Sequence, residues 1–247
     1  MLREIEAVER LATSNYARSE ALLSELQARS APSSAERLQI LTMRGEQAAG
    51  QKNQQLAEQM LSALRTWPEG PSRGLAEMAH SFLQAKLLSE KGERQQAIRT
   101  MAALPAFLDS QMPKPMLQRF YLFLALEKAD VGDFDGSIAA GLEALKVADR
   151  MGQSWRRAVN LAQLSTLCAN AQQFERSQQL ADEALQEAMK DPDPVLLYSV
   201  HNSRAIAFTE RHDLEQASQA SAQVIANARQ VGSDRLLALA LANSADV

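Results

Sequence analysis

The chain has 247 residues with 26 lysines and arginines against 30 aspartates and glutamates, a formal net charge of −4. This balance argues against a nucleic-acid partner, which would need a concentrated basic face. No apolar run approaches the eighteen or so residues that span a bilayer, so we expect no direct membrane contact. The single cysteine, Cys168, cannot form an internal disulfide and leaves the redox compartment open.

The N-terminal residues 1–12 are amphipathic and charged, unlike a secretory signal peptide. The expected location is therefore cytoplasmic by default, or periplasmic if a leader was removed. Apolar residues then recur at three- and four-residue spacing along the whole chain, as in Leu56, Met60 and Leu64. This spacing predicts helix throughout, and no stretch shows the sustained alternation of a β-strand.

A pattern returns every forty residues and covers nearly the whole chain. Its register marks are Gln54, Arg94, Phe134, Phe174 and Leu214, with a further mark at Tyr16. The small residues three positions after the marks are Ser19, Ala57, Ala97, Ser137, Ser177 and Ala217. The small residues nine positions before them are Ala7, Gly45, Ala85, Ala125, Ser165 and Ala205. Self-similarity at a fixed period of this length is typical of a solenoid.

Each unit is predicted to contain helix A, a short turn, helix B and a linker. In the turns, Gly92 and Gly132 can take a positive φ, and Asp133 or Asp213 can cap the next helix. Gly152, Pro192 and Gly232 lie forty residues apart, where they would end helix B. The chain is predicted to be one solenoid over residues 1–247. Its units are about 1–31, 32–71, 72–114, 115–152, 153–192 and 193–232, with a partial unit at 233–247.

The two columns of small residues have a physical cause in this arrangement. Antiparallel helices joined by a short turn approach closely only where one helix contributes little bulk. We therefore expect helix A to supply residues such as Ala125 or Ser165, and helix B to supply Ser137 or Ser177, at the closest approach. Enlarging such a site should cost about 1–3 kcal/mol or more.

The segment VGDFDGSIAAGLEAL at 131–145 resembles the tetratricopeptide repeat family, in a variant longer than its usual unit of about 34 residues. The family's aromatic positions in helix A are only partly met, by Tyr121 and Phe208. The resemblance implies an all-α, right-handed superhelical solenoid of antiparallel helix hairpins, with about six repeats plus one extra helix. Long repeats of this type are similar to those of bacterial signalling proteins, including regions that precede diguanylate cyclase domains and peptide-sensing regulators.

Residue types with catalytic or metal-binding chemistry do not form a pattern in this sequence. His80, His201 and His212 fall in different units without the spacing that would hold a metal. Cys168 is expected to be a small buried hydrophobe rather than a nucleophile, since no histidine or asparagine is placed to activate it. We therefore predict a protein without catalytic residues, metal or cofactor.

If the family geometry carries over, the concave face is reached twelve and eight residues before each mark. The candidate partner-binding residues at these positions are Thr42, Glu46, Phe82, Lys86, Leu122, Leu126, Thr166, Asn202 and Ile206, and Arg119, one turn before Leu122, is expected to join them. Such a mixture of apolar, hydrogen-bonding and charged groups suits an extended peptide or a helix laid in a groove. Phe82, Leu122 and Leu126 can equally pack between units, whereas Lys86, Arg119 and Asn202 are expected to be exposed.

The function predicted from this surface is a non-catalytic protein-interaction or sensory-input module of a bacterial signalling protein. The alternative is a receptor for a short peptide or small signal molecule in a transcriptional or phosphorelay regulator of the tetratricopeptide type. Self-association stays open. The final segment DRLLALALANSADV begins a helix A without its partner, so we expect a longer natural protein, with further repeats and an effector such as a diguanylate cyclase domain.

Overall fold

The computed structural model describes residues 1–12, 14–104 and 112–244, and every regular element in these ranges is an α-helix. The helices of the first half are α1 (Leu2–Leu11), α2 (Tyr16–Arg29), α3 (Ala35–Gly50), α4 (Gln54–Arg65), α5 (Arg73–Glu90) and α6 (Arg94–Ala102). Those of the second half are α7 (Lys114–Asp130), α8 (Phe134–Met151), α9 (Ser154–Asn170), α10 (Phe174–Ala188), α11 (Pro194–Glu210), α12 (Leu214–Val231) and α13 (Asp234–Ser244). The predicted all-α class is confirmed. Of the helices described, none is both long and apolar enough to cross a membrane.

The chain divides into two compact units, Met1–Met116 and Leu117–Val247. In the first unit α3 packs against α4 and α5, and α4 also packs against α5. In the second unit α9 packs in the same way against α10 and α11, and α10 also packs against α11. Contacts that run to the next helix and the next but one are those of stacked helix hairpins. A single array over the whole chain stays a prediction.

The core of each unit is built from the apolar stripes of successive helices. In the first unit Ile5 and Val8 of α1 meet Leu23 of α2 and Ile40 of α3, all of them buried. The corresponding cluster of the second unit is rich in alanine, and its buried members are Ala158, Leu161, Ala162, Ala184, Ala188, Leu196 and Val200. Alanine lets the backbones of α9, α10 and α11 approach while the leucines fill the remaining space.

The turns from helix A to helix B repeat one backbone geometry five times within the described residues. The residue two positions before each mark other than Tyr16 has a positive φ: Lys52 58°, Gly92 83°, Gly132 81°, Gln172 58° and His212 61°. The next N–H donates to a carbonyl five residues earlier, as from Asp133 to Lys128 at 2.9 Å and from Gln173 to Cys168 at 2.8 Å. This is the Schellman arrangement that closes a helix C-terminus. The sequence predicted the positive φ only at the two glycines.

The predicted caps are confirmed. Asp133 Oδ1 accepts a hydrogen bond from the Gly136 N–H at 3.0 Å, and Asp213 Oδ1 accepts one from the Gln216 N–H at 3.3 Å. Gly152 and Gly232 end α8 and α12 in the left-handed conformation, with φ of 66° and 70°. These short-range signals depend on neighbours within one turn of helix, which explains why they can be recognised without tertiary information.

Replacing Gln172 by glycine is expected to raise the free energy of unfolding by about 0.5–1 kcal/mol, because glycine adopts the left-handed backbone without steric cost. The Gln172 side chain is exposed, so little packing is lost.

The converse change, Gly132→Ala, should lower the free energy of unfolding by about 1 kcal/mol. A Cβ at Gly132 would meet nothing within 4 Å, so this cost is conformational. Urea denaturation measures both, with Ala171→Gly as a destabilising control at a φ of −85°.

The two columns of small residues lie where helices A and B meet. Members from both columns are buried, among them Ala57, Ala85, Ala125 and Ala217. In the fifth predicted repeat, about 153–192, the Ser165 Oγ donates to the Ser177 carbonyl at 2.8 Å, so α9 and α10 touch at the predicted point. Ala7 is the exception and is exposed. The short helix α1 buries Ile5 and Val8 instead. The hairpin of α1 and α2 departs from the forty-residue register, since its mark Tyr16 lies 38 residues before Gln54.

Candidate functional site

The predicted partner-binding residues lie on the A-type helices α3, α5, α7, α9 and α11, and they differ in burial. Thr42 and Phe82 are completely buried, so neither side chain is exposed to a partner. For Phe82, burial agrees with the alternative that it packs between helices. Thr42 Oγ1 donates to the Leu38 carbonyl at 2.8 Å within its own helix. Phe82 is among the largest fully buried side chains of the chain. Thr42 and Phe82, which lie twelve residues before the marks Gln54 and Arg94, therefore face neighbouring helices.

Seven other candidates are partly buried: Glu46, Lys86, Arg119, Leu122, Thr166, Asn202 and Ile206. Lys86 and Arg119, which were expected to be exposed, are instead partly buried. Both side chains interact with neighbouring groups. Leu126 is 42% exposed, whereas Phe82 is fully buried. The alternative of packing between units, which was open for both residues, therefore does not describe Leu126. A role for these residues in binding stays a prediction.

Asn202 and Ile206 are the candidates that the structure brings to a common cleft. It lies between α11, α12 and α13 in the second unit and has a volume of about 220 Å³. We call it the α11–α13 cleft. Its lining residues are Asn202, Ala205, Ile206, Thr209, Glu210, Ser221, Val224, Ala240 and Asn243. Thr209 and Glu210 follow Ile206 by three and four residues, so helical periodicity from the predicted pair could have found them.

The floor of the α11–α13 cleft is apolar. Ala205, Val224 and Ala240 are at most 8% exposed, and they come from three different helices. The Ile206 side chain is half-buried beside them. Small side chains at Ala205 and Ala240 leave the space, since a leucine at either position would occupy it. Ala205 belongs to the small-residue column nine positions before the marks, whereas Ala240 lies outside both columns.

The polar groups of the cleft are mainly neutral. Asn243 Nδ2 donates to Asn202 Oδ1 at 3.1 Å, which joins α13 to α11 across the opening. Thr209 Oγ1 donates to the Ala205 carbonyl at 2.9 Å. Asn202 is half-buried rather than exposed as expected, because of this contact with α13. The cleft can therefore offer hydrogen bonds to a ligand above an apolar floor.

A second depression of the same unit is charged. It has a volume of about 340 Å³ and is lined in part by Asp149, Arg157, Glu187 and Lys190. The Arg157 guanidinium pairs with Asp149 at 3.0 Å, with Glu187 at 3.1 Å and with Glu183. Lys190 pairs with Glu187 at 2.7 Å. These ions pair with one another and tie α8, α9 and α10 together, so we regard the cluster as structural.

Burial shifts the protonation of two histidines and of the cysteine. Burial lowers the pKa of His80 and of His201, and nearby arginines lower both further. Burial also raises the pKa of the Cys168 thiol, which disfavours the nucleophilic thiolate. Within the described residues, histidine, cysteine, aspartate and glutamate side chains form no group of three or more suited to a metal ion.

No protein-family model and no curated protein matches the chain. Solved structures do resemble it. The apo form of RapI aligns at a TM-score of 0.65 and 11% identity, over 98% of this chain and 69% of that one. A Rap protein complexed with Competence and Sporulation Factor aligns at 0.67 and 12%, with the same coverages of 98% and 69%.

A third similar structure is the signal transduction ATPase from Pyrococcus horikoshii, described as having a tetratricopeptide repeat sensor. It aligns at a TM-score of 0.54 and 13% identity, over 98% of this chain and 41% of that one. Likenesses at such low identity concern the fold. They confirm that the hairpins predicted from the forty-residue period form a tetratricopeptide-like arrangement.

Proposed function

We propose, on the premise of this tetratricopeptide-like fold, that the chain is a non-catalytic module that binds an extended segment of a protein or peptide in the α11–α13 cleft. The observation that carries the proposal is the cleft itself, with its apolar floor and its pair of asparagines. Repeat proteins of this class mainly use such surfaces for binding.

The size of the cleft favours a chain segment over a whole small molecule. Pockets that enclose drug-sized ligands have volumes of about 300–1,000 Å³. The α11–α13 cleft, at about 220 Å³, is smaller. It has room for a few atoms of backbone and one or two side chains of a ligand that continues beyond it. This supports a protein or peptide partner over the small signal molecule of the alternative.

The asparagine pair supports the same class of ligand. The bond from Asn243 to Asn202 leaves the Asn202 Nδ2 group and the Asn243 Oδ1 atom without a hydrogen bond to the described residues. A side-chain amide can make up to four hydrogen bonds, so both retain capacity. One offers a donor and the other an acceptor. A peptide group presents the complementary carbonyl and N–H, in any sequence.

We further propose that binding serves as sensory input to a bacterial signalling protein, with an output such as diguanylate cyclase activity supplied by another domain. Two comparisons support this: a Rap protein was solved with Competence and Sporulation Factor, and the Pyrococcus horikoshii protein is described as a signal transduction ATPase. The alternative, a peptide receptor in a transcriptional or phosphorelay regulator, uses the same cleft and differs in its output.

The proposal is tested by selecting binders from a displayed random-peptide library and measuring their affinity for variants of the cleft. Ile206→Arg places a charge on the apolar floor. We expect it to cost about 2 kcal/mol of binding, as for a central contact residue, or a roughly thirtyfold increase in Kd. Fluorescence polarisation with labelled peptides measures this increase.

The matched control is Leu214→Arg, which introduces the same charge at a side chain that is 55% exposed and does not line the cleft. It should leave Kd within about twofold, as expected for an exposed site. Equal affinity of the selected peptides for Ile206→Arg and the unmodified chain would place the site elsewhere. A library that yields no binder would refute the peptide-binding function.

A further inference from the structure

We infer that the segment bound in the α11–α13 cleft carries a positively charged side chain, arginine or lysine, which pairs with Glu210. The inference rests on the proposed function and adds the chemical class of the partner. Among the nine described lining residues, Glu210 is the one ionisable side chain. The cleft therefore presents a single negative charge beside neutral groups.

Glu210 has no ion pair with the described residues, in contrast to other carboxylates of the same unit. Asp182 is paired with Arg204 at 3.1 Å and Glu187 with Lys190 at 2.7 Å. Glu210 is exposed at the edge of the cleft, and its position next to the apolar floor leaves it accessible to a ligand. A partner that brings a cation would supply the missing charge.

The end of α11 strengthens the preference for a cation. Glu210 is the last residue of this helix, whose last turn contains no basic residue; the C-cap residue Arg211 follows it but does not line the cleft. The C-terminal end of a helix carries a partial negative charge, so an acidic side chain is unfavourable there and a cation is favourable. A ligand ammonium or guanidinium group near Glu210 would interact with both the carboxylate and the helix end.

The register along α11 predicts where the charge lies in the ligand. Asn202 and Glu210 are eight residues apart, which is about 12 Å along a helix at 1.5 Å per residue. Ile206 lies midway between them. An extended peptide rises about 3.3 Å per residue, so the basic residue should lie three to four positions from the peptide group held by the asparagines. A small apolar residue between them would rest on the floor at Ile206.

The test uses a positional library of hexapeptides with blocked termini, so that end charges do not contribute. Each pool fixes arginine, glutamine or glutamate at one position, and binding is measured by competition with a selected labelled peptide. We expect arginine to be preferred over glutamine by about threefold to fivefold at one position, the magnitude of an exposed ion pair. The preference should disappear near 1 M salt, where the Debye length is about 3 Å.

Glu210→Gln should remove the preference for arginine, and Glu210→Lys should reverse it in favour of glutamate. The control is Glu215→Gln, which removes an exposed carboxylate outside the cleft and should preserve the preference. Peptides that bind the cleft without favouring arginine, or that still favour it with Glu210→Gln, would overturn this inference and leave the proposed function intact. Failure of every pool to bind would overturn both.

Discussion

Replacing Phe82 by alanine is expected to lower the free energy of unfolding of the first unit by about 3–5 kcal/mol, the range for phenylalanine truncation in a core. The Phe82 side chain is 0% exposed, so the substitution leaves a cavity inside the helix stack. The neighbouring helices can relax only partly into it, because close-packed interiors resist collapse.

The chain offers a local fluorescence probe for this measurement. It contains two tryptophans: Trp67 lies buried in the first unit, and Trp155 lies in α9 of the second. In a Trp155→Phe background, urea unfolding followed by fluorescence reports on the surroundings of Trp67. The control Gln84→Ala changes an exposed residue of the same helix and should alter stability by less than about 0.5 kcal/mol.

The result decides which face of α5 points inward. A loss of less than about 1 kcal/mol for Phe82→Ala would place this side chain at the surface, as the sequence-based prediction of a binding residue allowed. A large loss would mean that weaker ligand binding by this variant reflects instability, and that Phe82 does not contact the partner.

Replacing Ser177 by leucine is expected to destabilise the second unit by about 1–3 kcal/mol or more through overpacking. Ser177 is 0% exposed, and its Oγ lies 3.2 Å from Ser165 Oγ at the closest approach of α9 and α10. A leucine there has no free volume and would force the two helices apart. Unfolding followed by Trp155 fluorescence in a Trp67→Phe background measures the loss.

Ser177→Ala is the matched control, because it keeps the small volume. The hydrogen bond from Ser165 Oγ to the Ser177 carbonyl can persist, since the acceptor is backbone. We expect a change within about 1 kcal/mol. Equal stability of the leucine and alanine variants would show that helix A and helix B do not need small residues to approach, contrary to the cause assigned to both columns.

The periodic features were predictable because each depends on neighbours close in sequence. Helical spacing, the turn glycines and the caps at Asp133 and Asp213 act within one or two helical turns. The left-handed conformations of Lys52, Gln172 and His212 were not foreseen. Lysine and glutamine rarely adopt a positive φ, and histidine, although enriched there, is not specific enough to predict it. Their positions two residues before the marks were the available signal.

Exposure was less predictable than register. Phe82 and Leu126 are both large and apolar and were both candidates for the binding face, yet one is buried and the other is 42% exposed. Sequence position shows which side of a helix a residue occupies, but burial depends on which neighbouring side chains cover that side. The same limit applies to Thr42, which looked like a hydrogen-bonding group for a partner and bonds instead to its own helix.

The amino-acid sequence by itself determined the helical hairpins, their forty-residue register and the small residues where they touch, because these follow from local propensity and repetition. The tertiary structure decided which candidate residues share a cleft. The contact between Asn202 and Asn243 spans 41 residues and joins α11 to α13. Such a juxtaposition depends on how successive hairpins stack, which no local pattern specifies.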